Sequence, residues 1–444
     1  MSNWKETTLA DAPLSIIDGD RGKNYPKQAD YLTSGNCLFL NAGNVTMEGF
    51  NFSDCVFISG EKDQSLRKGK LNRYDIVLTT RGTVGNVAFY DESVPYDNIR
   101  INSGMVIFRP SEKIEPRYLY LFLKSDLFQH QVKSHLTGSA QPQLPIRDIN
   151  ILRFTLPPLS EQKRIAEILG SLDDKIELNR KQNETLEAMA RAVFQSWFVD
   201  FDPVIDNALA AGRPIPDELA ERAARRKHHK TKHPLPQAIQ SLFPDRFDPS
   251  PLGPIPKGWK VGKLGDISLN IRKPARLDTI DPESVYIGLE HMPQKCIALS
   301  EWGKAGEVAS NKFEFKEGQI LFGKLRPYFH KVGVAVTDGI CSTDILVVEP
   351  KAEKWFGVIL SYLSSDALIE YATSHSSGTR MPRTNWHDLA KYPIAIATDE
   401  ISRHFKAMFA DYVNMLKTNI NESNTLTHLR DSLLPKLLTG EIEA

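Results

Sequence analysis

The chain repeats itself at a fixed distance. Residues 103–110 read SGMVIFRP, and residues 343–350 read TDILVVEP. Leu123-Lys124-Ser125-Asp126 returns as Leu363-Ser364-Ser365-Asp366, and Ser134-His135 returns as Ser374-His375. Gly138, Pro142 and Asp148 return as Gly378, Pro382 and Asp388, always 240 residues on. The offset continues through an apolar series, where Ile165, Leu169, Ile176, Asn179 and Leu186 match Phe405, Phe409, Leu416, Asn419 and Leu426. A repeat this long is a whole domain with its following helix, not a solenoid unit. The expected product is an internal pseudo-twofold repeat.

Residues 1–158 mix strand-like runs with turns. DIVLTTRG (75–82), NVAFY (86–90) and MVIFRP (105–110) are rich in β-branched and aromatic residues and bounded by Gly, Pro or Asp. A short helix is predicted over 116–135, with Pro116 near its first position and Leu119, Phe122, Leu123 and Leu127 on one side. Pro157-Pro158 closes the unit, Ser160 is the expected N-cap of a new helix, and Glu161 adds negative charge to its first turn.

From Ile165 the apolar spacing alternates four and three residues through Leu169, Leu172, Ile176, Asn179, Asn183, Leu186, Ala190, Val193 and Trp197. A 3.5-residue period predicts a coiled-coil seam. The second copy runs Phe405, Phe409, Tyr412, Leu416, Asn419, Ser423, Leu426, Leu433 and Leu437, with Arg430 breaking the seam where the first has Ala190. Both seams turn polar near their midpoints, at Asn179/Asn183 and Asn419/Ser423. Those positions can meet if the helices pair antiparallel, and buried polar seam residues fix register. A seam open to solvent there is the alternative.

The fold expected is α+β: two tandem α/β units separated by two long antiparallel coiled-coil helices. The segments are 1–158, a first long helix 159–199, a Pro- and charge-rich linker 200–258 with one short helix at 217–227, a second unit 259–398, and a second long helix and tail 399–444. Strand candidates in the second unit are YIGLEHM (286–292), GQILFGKL (318–325) and ILVVEP (345–350), and 355–375 echoes the short helix.

Signatures of catalysis are missing. Gly318 to Lys324 fits G-x-x-x-x-G-K, but Leu325 stands where a phosphate loop needs Ser or Thr, and the intervening residues are strand-like. No G-x-G occurs, so the dinucleotide fingerprint is absent. Pro157-Pro158 is flanked by leucines and lacks the Asn/Asp-Pro-Pro-aromatic pattern of amino-methyltransferases. His228, His229 and His233 lie in the basic run RRKHHKTKH (225–233) with no carboxylate or Cys at ligand spacing, so no metal is expected. The four cysteines show no C-x-x-C spacing and read as reduced thiols. No apolar run approaches the roughly 20 residues of a membrane span, and the N-terminus has no secretory pattern. The expectation is a cytoplasmic binding protein.

Net charge is zero, so any polyanion contact must come from local clusters. One cluster follows the central strand candidates: Arg81 in TTRGTVGN, and Lys324 with Arg326 in GKLRPYF. Another precedes the long helices: 138–143 carries Gln141 and Gln143, and the matching segment 378–383 carries Arg380 and Arg383. Arg can bond guanine through two donors and Gln can bond adenine, while either can hold phosphate. Loops that differ on a shared frame suit two different readouts. Residues 68–73 (KGKLNR) form a weaker basic cluster.

LPPLSEQKRIAEILGSLDDKIELNRKQNETLEAMARAVFQSWFVDFDPV (156–204), LFPDRFDPSPLGPIPKGW (242–259) and LRDSLLPKLLTGEIE (429–443) resemble the specificity subunit of type I restriction–modification systems. The resemblance spans essentially the whole chain. It implies two target recognition domains, each reading half of a split, asymmetric site in double-stranded DNA. It implies helices that set the spacer and dock the modification subunits, two in number. It implies no cofactor on this chain, with S-adenosylmethionine, ATP and Mg on the modification and restriction subunits. A scaffold that touches no DNA, and a stand-alone DNA methyltransferase, are the competing readings.

Overall fold

A computed structural model describes residues 4–47, 49–138, 141–228, 235–276, 278–378 and 380–443. The chain divides into two compact units: residues 1–176 with 425–444, and residues 177–424. Each long helix therefore gives residues to both units.

The first unit is built on a four-stranded antiparallel sheet in the order Leu14–Asp18, Met105–Pro110, Ile76–Thr79, Val87–Phe89. In the central strand Ile76 and Leu78 face the cluster under the helices, while Val77 faces a second cluster with Leu38, Ile99 and Ile107. Covered on both faces, these strands read as continuous apolar runs rather than alternating ones. Cys37–Leu40 runs parallel to Ile99–Ile101 in a smaller sheet.

The second unit repeats this order with Ser268–Ile271, Ile345–Pro350, Ile320–Gly323 and Val332–Val334. Val285–Ile287 runs parallel to Gly339–Ser342 as the counterpart of the smaller sheet. The offset between the units is 240 from Met105/Ile345 onward but grows to 244 at Ile76/Ile320 and 255 at Lys5/Lys260. Length differences accumulate in loops, which tolerate them, while strand register is kept.

The helix expected over 116–135 is two helices, Pro116–Lys124 and Asp126–Ser134. Ser125 leaves the helical conformation and accepts a hydrogen bond from the amide of Phe128. Ser365 does the same with Leu368 in the second unit. The repeated Ser-Asp is therefore an N-cap with its acidic first turn.

The first long helix spans Leu159–Phe194 and passes into a π-turn over Gln195–Val199. It starts two residues too early for Ser160 to be its cap. The buried amide of Gln162 fixes this start instead, accepting from the amide of Glu115 and donating to the carbonyl of Pro157.

The segment 200–258, expected as a linker, is folded onto the core of the second unit. Asp202–Ala210 is a helix that buries Val204, Ile205 and Ala208, and Phe243, Ile255 and Trp259 join the same apolar cluster as Phe201. The short helix expected at 217–227 is Ala220–His228, after a 3-10 turn at Asp217–Leu219. Arg222 grips Asp202 through two donors, and Arg226 grips Asp206. The Pro-rich composition hid a three-to-four spacing in Phe201, Val204, Ile205 and Ala208.

Candidate nucleic-acid interface

In each unit the loop after the central strand is stitched to a hairpin, closed by Thr137 and Gln143 in the first unit and by Ser377 and Arg383 in the second. In the first unit, Arg81 faces Gln143 across an isolated antiparallel bridge, and Leu144 donates its amide to the carbonyl of Thr80 at 3.0 Å. In the second unit Leu325 faces Arg383, and Thr384 donates to Lys324 at 3.0 Å. Thr137 and Gln143 exchange two backbone bonds, as do Ser377 and Arg383. Gly138 and Gly378 adopt positive φ, +88° and +96°, which closes both hairpins. The backbone register makes Leu325, rather than Lys324 or Arg326, the counterpart of Arg81.

The side chains on this shared frame differ. In the first unit Arg81 and Gln141 are exposed and Gln143 is half-buried. Among the described residues Arg81 has no carboxylate partner. Ser139 and Ala140 lie outside the described residues, as does Thr379 in the matching loop.

In the second unit Arg380 and Arg383 are exposed, and Lys324 and Arg326 are half-buried. Arg383 Nε lies 3.2 Å and Lys324 Nζ 3.9 Å from the same Asp344 oxygen. Arg326 donates its amide to the carbonyl of Pro382 at 2.7 Å, and its guanidinium lies 5.9 Å from the Phe329 ring centre. Its Nε is buried without a hydrogen-bond partner among the described residues. The structure thus gathers Lys324, Arg326 and Arg383 on one edge, and Arg81 with Gln143 on the equivalent edge of the other unit.

A difference in strain goes with these side chains. Gly82 and Gly85 hold positive φ in the first unit's loop. At the matching places in the second unit stand Arg326 and His330, at φ +50° and +53°. Left-handed backbone costs a residue with a β-carbon roughly 1 kcal/mol, a cost usually retained where the side chain has work to do. His330 spans the loop base, its Nε2–H donating to the carbonyl of Ser364 at 2.9 Å. Sequence reading had no signal for this, because the glycines that mark the turn in one copy are absent from the other.

Other basic candidates are already engaged. Lys70 pairs with Asp63, and Arg73 pairs with Asp97 and two carbonyls, so two of the three cations in 68–73 are held by the unit itself. Arg225 and Arg226 of the basic run are paired with Glu221 and with Asp202 and Asp206, while His229 and His233 fall outside the described residues.

The predicted helix-pairing residues fall into two groups. In the first unit Ile165 and Leu169 are fully buried in one cluster with Leu434, Leu437 and Leu438, and half-buried Leu172 and Leu433 pack on it. Ile176 and Leu426 are only half-buried. Arg430, which interrupts the apolar seam, bonds Asp173 at 2.7 Å. In the second unit Phe405, Phe409 and Leu416 are buried, and Phe405 meets the rings of Phe194, Trp197 and Phe198. Leu186 is half-buried beside Leu416 and Tyr412.

The polar layer belongs wholly to the second unit. Asn419 donates to Asn183 Oδ1 at 2.9 Å, and Asn179 donates to Glu422 at 2.8 Å and to Ser423 at 3.3 Å. As the first helix advances from Asn179 to Asn183, its partners fall from Glu422 and Ser423 to Asn419, so the helices pair antiparallel in the second unit. Sequence reading missed Glu187. It reaches from the first long helix to accept the amide of Ile297 at 2.9 Å. Burial pushes its carboxyl above the ordinary value, although the Ile297 amide and Arg191 oppose this.

A family model described as the type I restriction modification DNA specificity domain matches residues 1–188. The HindI type I restriction enzyme specificity subunit of Haemophilus influenzae is 26% identical and is covered over 100% of both chains. The MjaIX specificity subunit of Methanocaldococcus jannaschii is 24% identical over 83% of this chain and 77% of its own. Among solved structures, the S subunit of a type I restriction–modification system from M. genitalium shares the fold. It has a TM-score of 0.52 at 15% identity and covers 98% of this chain and 96% of its own.

Proposed function

We propose that this chain, similar to type I restriction–modification specificity proteins, belongs to that family and that its two units each read one half of a bipartite, asymmetric DNA site. The protein is a sequence-recognition subunit and not itself a catalyst. It works with modification and restriction subunits on DNA. The observation that carries the two-reader assignment is the duplicated bridge, one backbone frame presenting Arg81 and Gln143 in one copy and Lys324, Arg326 and Arg383 in the other. The planar forks of Arg and Gln match the major-groove edges of guanine and adenine, while Lys suits phosphate.

The antiparallel long helices act as the ruler between the half-sites and as the dock for two modification subunits. S-adenosylmethionine, ATP and Mg belong to the partner subunits, and base extrusion is their task. The assembly works in the cytoplasm; no helix among the described residues is long and apolar enough to cross a membrane.

Footprinting of the assembled complex tests this reading. Two short protected sequences separated by an unread gap are expected. Lengthening both helices by one turn should widen the gap, and an unchanged gap would remove the ruler. Equal protection of any duplex would overturn DNA reading altogether.

A further inference from the structure

We propose that Asp344 determines specificity in the second unit as a positioning residue, holding Arg383 for one base and damping the phosphate attraction of Lys324. The inference rests on the DNA-reading assignment above. Asp344 immediately precedes the strand Ile345–Pro350, and its carbonyl accepts the amide of Lys324 at 2.9 Å. Its Oδ1 lies 3.2 Å from Arg383 Nε and 3.9 Å from Lys324 Nζ. One carboxylate is thus shared by two cations on the candidate reading edge.

The atom used matters. A carboxylate on Nε occupies one of the five guanidinium donors and leaves the outer pair of nitrogens for a base edge. An arginine ordered before binding also loses less side-chain entropy when it binds. The pairing is modest, because the Arg383 and Asp344 side chains are 48% and 27% exposed. It suits a group that orients its partner without competing strongly with DNA.

The other copy serves as an internal control. At the fixed offset, Asp344 corresponds to Gly104, which has no side chain to offer Arg81. The equivalent of Lys324 there is Thr80, an uncharged residue. The carboxylate therefore occurs in the copy that concentrates cations. Without it, that edge would attract any phosphate backbone more strongly and select bases less well.

This yields opposite changes in two measurable quantities. The test uses the full chain assembled with modification subunits, carrying Asp344→Asn or Asp344→Glu. Competition binding compares the recognised duplex, single-base changes in each half-site, and random duplex, across salt concentrations. For Asp344→Asn, random-duplex affinity should rise about threefold or more. Discrimination at one position of the half-site read by the second unit should fall about tenfold. The other half-site should keep its discrimination, and the salt dependence should steepen. Asp344→Glu keeps the charge, so random-duplex affinity should stay near the parent value with discrimination partly restored.

A purely structural role would weaken specific and random binding together, and that result overturns the proposal. So does unchanged discrimination at every position in both variants, or a loss confined to the first unit's half-site. Should Asp344→Asn fail to fold, Asp344→Ser takes its place as the charge-removing variant, and unchanged discrimination there overturns the proposal. A parent complex that binds every duplex equally would instead overturn the DNA-reading assignment.

Discussion

Asp63 and Arg100 form a nearly buried ion pair under the smaller sheet of the first unit, with side chains 6% and 7% exposed. Burial alone would raise the Asp63 carboxyl. Hydrogen bonds from Arg100, Lys70 and Asn98 outweigh it and hold the group at about 2. A carboxyl depressed in the folded state stabilises it above the unfolded value near 4, and that stability is lost as pH falls through about 2. Asp63→Asn leaves Arg100 without its main counter-charge and should cost about 3 kcal/mol near neutrality. The gap from the parent should shrink as pH drops from about 4 toward 2, measured by denaturant midpoints. A gap independent of pH would contradict the assignment. At this scale the sequence was only partly legible. It singled out Arg81, Lys324, Arg326 and Arg383 as cations in loops. Asp344 beneath Arg383 could not be read, because the two residues lie far apart in the chain, and the left-handed backbone at Arg326 could not, because no glycine marks that turn.

The long helices were legible because a 3.5-residue apolar period persists through both copies. Their polar layer is the informative exception. Asn419 donates to Asn183 Oδ1, whereas Asn179 reaches Glu422 and Ser423. Replacing one buried partner strands the other, at about 1 to 3 kcal/mol. Replacing both removes the unmet amide. Asn419→Leu alone should therefore destabilise the chain, and adding Asn183→Leu should recover part of the loss. A coupling above about 0.5 kcal/mol is expected in a double-mutant cycle followed by denaturation. Additive effects would mean that the two amides do not depend on each other. What the period could not show is where a seam side chain leaves the helix pair for a domain. Gly357 lies against the rings of Phe405 and Phe409 because no side chain stands between. Glu187 binds the amide of Ile297 from one position beyond the seam.

For the molecule as a whole, the repeat announced two copies of one frame, and the matched sheet orders and bridges agree with it. The constant offset described only the later part of each copy, since loop lengths differ upstream. The segment 200–258 misled for a different reason. Its prolines and charges resemble a linker, but its few apolar residues bury together with aromatics from distant parts of the second unit. The copies keep the turn-forming Gly138/Gly378 and Pro142/Pro382, while Gln141 and Gln143 give way to Met381 and Arg383. That pattern suits one scaffold carrying two different readers. The direct test exchanges residues 1–158 for those of a relative with a different target, then maps methylated bases across the genome of cells carrying the assembled system. One half of the methylated motif should change while the other half and the spacer persist. Change in both halves, or in neither, would contradict the account.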